Sequence, residues 1–141
     1  MEPVSTTIAV LAAIPIPEVP YPADHRLGPH ELATYRVTGR LVARMIERDQ
    51  DVHLVLQDVE SEATMIIEVP AASCAVGSPL HDRFDGVRNI ALAAPLHSLV
   101  TVTGVGFFDF LHEARGQASN GFELHPVLGV VVEQMTSHPH R

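Results

Sequence analysis

Tyr35-Arg36-Val37-Thr38-Gly39-Arg40-Leu41-Val42-Ala43-Arg44-Met45 is the stretch that decides the fold. Tyr35, Val37, Gly39, Leu41, Ala43 and Met45 fall on one side of a period-two alternation, while Arg36, Thr38, Arg40, Arg44 and then Arg48 fall on the other. Successive side chains of a strand point to opposite faces, so the pattern predicts a long strand with one buried face and not a helix. Gly39 in its interior predicts a bend or bulge of the kind found at a barrel corner.

Working outward, Asp49-Gln50-Asp51 reads as a turn, Val52 to Gln57 as a second strand ending at Asp58, and Ala63 to Val69 as a third that Pro70 stops. Three strands with short turns form a meander. Ser78 and Pro79 are then a cap and first-turn pair, and Leu80, Phe84, Val87 and Ala91 recur at helical spacing up to Pro95. Leu99 to Phe108 is a fourth strand, in which Thr101 and Thr103 alternate with Val100 and Val102. A loop from Asp109 to Asn120 leads into a fifth strand, Phe122 to about Glu133. The class is therefore all-β with one short helix. Three strands, a helix and two strands is the order of a five-stranded OB-fold-like barrel, with the helix between strands three and four. A β-sandwich is the alternative, for which five strands are few.

The barrel is expected over residues 31–135, preceded by a Pro-rich N-terminal arm over 1–30 and followed by a flexible tail over 136–141. In the arm, Ser5 or Thr6 would cap a short helix from Thr7 to Ile14 that Pro15 ends, and Pro17, Pro20 and Pro22 favour an extended path. The apolar face of that helix is expected to pack on the barrel or on a neighbouring subunit, which makes assembly into a homo-oligomer one role for the arm.

The bounds set by composition are simple. The chain has 141 residues, 46% hydrophobic and 18% charged, which is globular and of single-domain size. A net charge of −8 opposes attraction to a polyanion such as a nucleic acid. Cys74 is the only cysteine, so no intramolecular disulfide forms. The apolar run Ile8 to Ile14 is far shorter than the ~20 residues of a membrane span. Glu2 stands where a signal peptide would be positive, so a cytoplasmic, membrane-free protein is expected.

Chemistry-bearing residues gather on three strands and the last long loop. His53 points outward if Leu54 and Leu56 are inside; Glu68 ends the third strand; Asp109 and His112 open the loop; Glu123 and His125 share one face of the fifth strand. Imidazoles and carboxylates on neighbouring strands suit a divalent metal, which would activate water for hydrolysis. The simpler structural reading has Glu123 and His125 bond to loop backbone and hold the loop against the barrel. Arg36, Arg40 and Arg44, four apart, are expected on one face as a basic row for a phosphate backbone, or as solvated cations paired with Glu47, Glu60 or Glu62. Aromatic residues for base stacking are scarce, at 5%. Cys74 reads as a lone cysteine and Gly104-Val105-Gly106 as no phosphate loop, since the lysine and the following helix are missing.

The segments Asp51-Val52-His53-Leu54-Val55-Leu56, Met65-Ile66-Ile67-Glu68-Val69-Pro70, Val102-Thr103-Gly104-Val105-Gly106-Phe107-Phe108-Asp109-Phe110-Leu111-His112 and Glu123-Leu124-His125-Pro126-Val127 resemble an uncharacterised bacterial family of small OB-like proteins. Its members carry HLVL, GVGFFD and ELHPV-type segments, and the resemblance covers roughly residues 31–132. It implies no catalytic residue, because the family carries no established activity. The preferred expectation is a non-enzymatic binding module of unassigned ligand: nucleic acid strand, small molecule or protein. The alternatives are a metal-dependent hydrolase using the His/Asp/Glu set, and a structural or assembly protein. No cofactor is evident beyond that divalent metal.

Overall fold

The computed structural model describes residues 2–15, 33–71, 81–108 and 115–133. Its elements are β1 (Val4–Ser5), α1 (Ile8–Ala12), β2 (Thr34–Ile46), β3 (Val52–Asp58), β4 (Thr64–Val69), α2 (His81–Ala93), β5 (Leu99–Phe108) and β6 (Phe122–Val132). The strands lie in the order β1-β2-β3-β4-β6-β5, and β2 also pairs with β5. That extra pairing closes β2 to β6 into a five-stranded barrel, the all-β OB-like architecture expected. Among the described residues no helix is long and apolar enough to cross a membrane.

Closure depends on β2 serving two partners. Its first half, Thr34 to Arg40, runs antiparallel to β5, and its second half, Gly39 to Ile46, runs antiparallel to β3. Gly39 lies where the two pairings meet, as a barrel corner requires. The register shift, however, is not at Gly39 but between Leu41 and Ala43. Gly39 serves close approach: a Cβ there would stand 2.8 Å from Ile8 Cδ1 and 2.9 Å from the Gln57 carbonyl oxygen.

Ile8 reaches Gly39 because residues 2–15 pack onto the barrel. β1 pairs parallel with β2 through Val4–Tyr35 and Ser5–Arg36, a contact too short to leave a pattern in the sequence. Thr7, and not Ser5 or Thr6, caps α1, its hydroxyl accepting from the Val10 amide at 3.1 Å. Ile8 and Leu11 are fully buried in the common core with Leu41, Leu56, Met65, Ile67 and Phe122. The described part of the expected arm is thus packed on its own barrel; Pro17, Pro20 and Pro22 lie outside the described residues, as does the 136–141 tail. Two polar contacts fix α1. The Ala9 amide donates to Asp58 Oδ1 at 3.2 Å, and Asn120 Nδ2 donates to the Leu11 and Ile14 carbonyls, each at 2.9 Å.

Helix α2 follows the expected stripe, with Phe84, Val87 and Ala91 buried. Its proposed cap, Ser78 with Pro79, and Cys74 lie outside the described residues. Its C-terminal carbonyls are taken by a cation from the barrel: Arg44 Nε donates to Ala91 at 3.0 Å and its other nitrogen to Ala94. A guanidinium there both satisfies orphan carbonyls and complements the helix dipole.

Candidate functional site

Three strands bring the polar candidates together by register alone. His53 on β3 stands directly opposite Glu68 on β4, and directly opposed residues face the same side. β4 and β6 meet in parallel at Ile67 and Leu124, both buried in the core. Their neighbours along each strand, Glu68 on one and Glu123 and His125 on the other, therefore share the outer wall. The result is a compact set centred on Glu68. Its Oε2 lies 3.2 Å from His53 Nε2 and 3.4 Å from His125 Nδ1, and His125 Nδ1 lies 3.4 Å from Glu123 Oε1. One ligand atom from each of Glu68, Glu123 and His125 falls within 4.8 Å of the others. Asp109 and His112, the remaining two candidates, lie outside the described residues.

The neighbours that complete the wall gave weaker signals. Asp51, which reads as a turn residue, is buried, accepts the Ala71 amide at 2.9 Å and lies beside the Glu68 side chain. Glu47 comes within 4.0 Å of His53 Nδ1. Phe107, which reads as core, meets the His125 ring edge-on at 5.3 Å between centroids. The available clue was that Asp51 immediately precedes a strand whose first outward residue is His53.

Glu123 and Asp51 are both nearly inaccessible, and buried carboxylates persist only when charge and hydrogen bonds compensate them. Burial alone would raise the Asp51 pKa. The bonds from Glu68 and the Ala71 amide, with His125 and His53 nearby, reverse this and hold it below its ordinary value. The His53 pKa is raised, first by its hydrogen bond to Glu68, against desolvation and with help from the charges of Glu68, Glu47 and Glu123. A histidine with a raised folded pKa contributes stability fully below its unfolded value of about 6.5, and loses it as pH climbs through the folded pKa. In metal-free protein, an NMR titration of His53 is expected to place its midpoint above that value, and denaturation midpoints are expected to fall across the same interval. His53→Gln should flatten that fall; an ordinary His53 midpoint would refute the assignment.

The arginine row does not survive as one face. Arg36 and Arg40 keep the outward alternation, but the register shift after Leu41 inserts one residue and reverses the parity. Arg44 thus lies opposite Leu54, a core residue, and turns to the end of α2. Arg40 is committed to the His97 carbonyl at 2.7 Å. The centre of the β3–β4 wall is also covered: Val55 and Ile66 are buried, and Gly116, at φ +80°, sits where a Cβ would stand 2.3 Å from Val55 Cγ1. What stays partly open on that wall is the end that carries the histidines.

No protein-family model matches the chain. No curated protein sequence matches it either. Solved structures do, at the level of fold. One is "OBody AM2EP06 bound to hen egg-white lysozyme", with TM-score 0.52 and 11% identity over 70% of this chain and 78% of that one. Another is "Crystal structure of a putative aspartyl-tRNA synthetase from Leishmania major Friedlin", with TM-score 0.53 and 12% identity. The match covers 94% of this chain but only 21% of that much longer protein. The barrel is of the OB type.

Proposed function

We propose that this chain is a non-enzymatic OB-like binding module whose outer wall at β4 and β6 holds a divalent cation through Glu68, Glu123 and His125. The supporting observation is the spacing of the donors. A zinc ion with nitrogen and oxygen ligands at about 2.0–2.2 Å has tetrahedral edges of roughly 3.3–3.6 Å. The two contacts of His125 Nδ1, with Glu68 Oε2 and Glu123 Oε1, are each 3.4 Å. Two carboxylates and an imidazole form a mixed donor set suited to a first-row transition ion, and the ion's charge would offset the excess of buried carboxylate. His53, whose Nε2 meets Glu68 Oε2 at 3.2 Å, orients that ligand from outside.

The test is metal analysis and calorimetry on the full chain, with zinc and manganese as probes. Retention of about one ion per chain is expected, with proton release on binding, since the imidazole must be neutral to ligate. Loss of an outer partner through His53→Gln is expected to weaken binding about 10–100-fold, and His125→Ala more than that. Equal binding by the variants, or no retention by the parent, would end this reading. Three protein donors also leave a coordination position for water, which makes metal-assisted hydrolysis the second reading. Turnover of an activated ester by the zinc-loaded protein, lost in His125→Ala, would put catalysis in place of binding.

A further inference from the structure

A second polar concavity lies on the wall formed by β2, β5 and β6. Arg36 is opposite Thr103, and Thr103 is opposite Gly129, so the three make a row across the strands on one face. Thr34 lies two residues before Arg36 on the same face, and Arg83 comes in from the first turn of α2. With Pro3 and Leu128 these residues line a cavity of about 360 Å³. Among the described residues the lining holds two guanidinium groups, two hydroxyls and no carboxylate, in a chain whose net charge is −8.

Three of the described arginines serve the main chain. Arg40, Arg44 and Arg88 donate to main-chain carbonyls of His97, of Ala91 and Ala94, and of Gln50. Arg36 and Arg83 pair with no carboxylate among the described residues, and both face the cavity. Gly129 keeps its floor open, since a Cβ there would meet nothing nearer than Thr103 Cβ at 4.0 Å. We infer that this cavity binds a small phosphomonoester. The two guanidiniums clamp the phosphate, the Thr34 and Thr103 hydroxyls bond its remaining oxygens, and Pro3 and Leu128 line the place of the organic group. The volume falls in the range of about 300–1,000 Å³ typical of small-molecule sites. A nucleic acid strand fits less well, because among the described residues no aromatic ring lines the cavity for stacking, and Arg40 and Arg44, which would extend the track, are committed elsewhere.

The experiment is calorimetry on the full chain at low salt with a metal chelator present, so that the β4–β6 wall plays no part. Phenyl phosphate, inorganic phosphate and a short oligothymidylate are the probes. Phenyl phosphate is expected to bind, more tightly than inorganic phosphate, and to weaken as salt rises. Arg36→Gln and Arg83→Gln are each expected to reduce its affinity about tenfold or more. Gly129→Leu keeps both charges but fills the cavity, and is expected to abolish phenyl phosphate binding while circular dichroism and thermal unfolding stay those of the parent. Unchanged affinity in the two arginine variants, binding of the oligothymidylate alone, or no binding of phenyl phosphate would each overturn the inference.

Discussion

Asn120→Ala is expected to destabilise the protein by about 3 kcal/mol or more, far beyond the loss of one side chain's contacts. Asn120 is buried and uses both ends of its amide. Nδ2 donates to the Leu11 and Ile14 carbonyls, and Oδ1 accepts the Phe122 amide at 3.0 Å. Truncation strands the Ile14 carbonyl and the Phe122 amide, while the Leu11 carbonyl keeps the Ile14 amide at 3.2 Å; each buried group left unpaired costs about 1–3 kcal/mol. Asn120→Asp keeps the acceptor for Phe122 but sets a buried carboxylate oxygen against the Leu11 and Ile14 carbonyls, so a loss at least as large is expected at neutral pH. Urea unfolding of the two variants measures this. Leu11→Ala, which leaves a cavity where Leu11 fills the core, is expected to cost about 2–5 kcal/mol by itself. Because both act on α1, the double variant should lose less than the sum of the two. A loss under about 1 kcal/mol in Asn120→Ala would mean that water replaces the amide and that α1 is only loosely held.

Gly39→Val is the second large effect expected. Its Cβ would stand 2.8 Å from Ile8 Cδ1, 2.9 Å from the Gln57 carbonyl oxygen and 3.2 Å from Leu56 Cβ. Overpacking typically costs about 1–3 kcal/mol, and here two of the three obstacles belong to the barrel wall, so the upper end or a failure to fold is expected. Ile8→Ala in the same chain removes one obstacle and should restore stability only partly, since the Gln57 oxygen cannot move without opening β3. Complete rescue would show that Ile8 alone confines position 39. No loss at all would show that the packing of α1 against β2 is not as described.

The barrel strands and the helix between them were legible because each carries a clean period. β5 runs over Leu99–Phe108 in sequence and structure alike, with Val100 and Val102 buried and Thr101 and Thr103 on the far side. The bulge after Leu41 was not legible. An inserted residue is defined by the number of residues on the partner strand, which no single-strand pattern reports. That is why Arg44 was assigned to the wrong face. β1 escaped for another reason, since two residues cannot show an alternation. The polar wall was half legible: alternation put His53, Glu68, Glu123 and His125 outside, but their meeting depends on the parallel junction at Ile67 and Leu124, a long-range pairing. Asp51 was hidden because a turn acid and a buried acid look the same until Ala71, just past the end of β4, is seen to donate its amide to it.

The bonds between Asn120 and α1 join residues 109 and 106 positions apart in the chain. Synthesis runs from N to C, so α1 is made well before Asn120, its hydrogen-bond partner. Until the later strands follow, Ile8 and Leu11 have no complete core to enter, and the growing chain carries them as an exposed apolar segment. Contacts of such separation set folding rate through the entropy of closing the intervening loop. α1 therefore acts as a clasp that closes late, and the interval before it docks is when the nascent chain most needs protection from association.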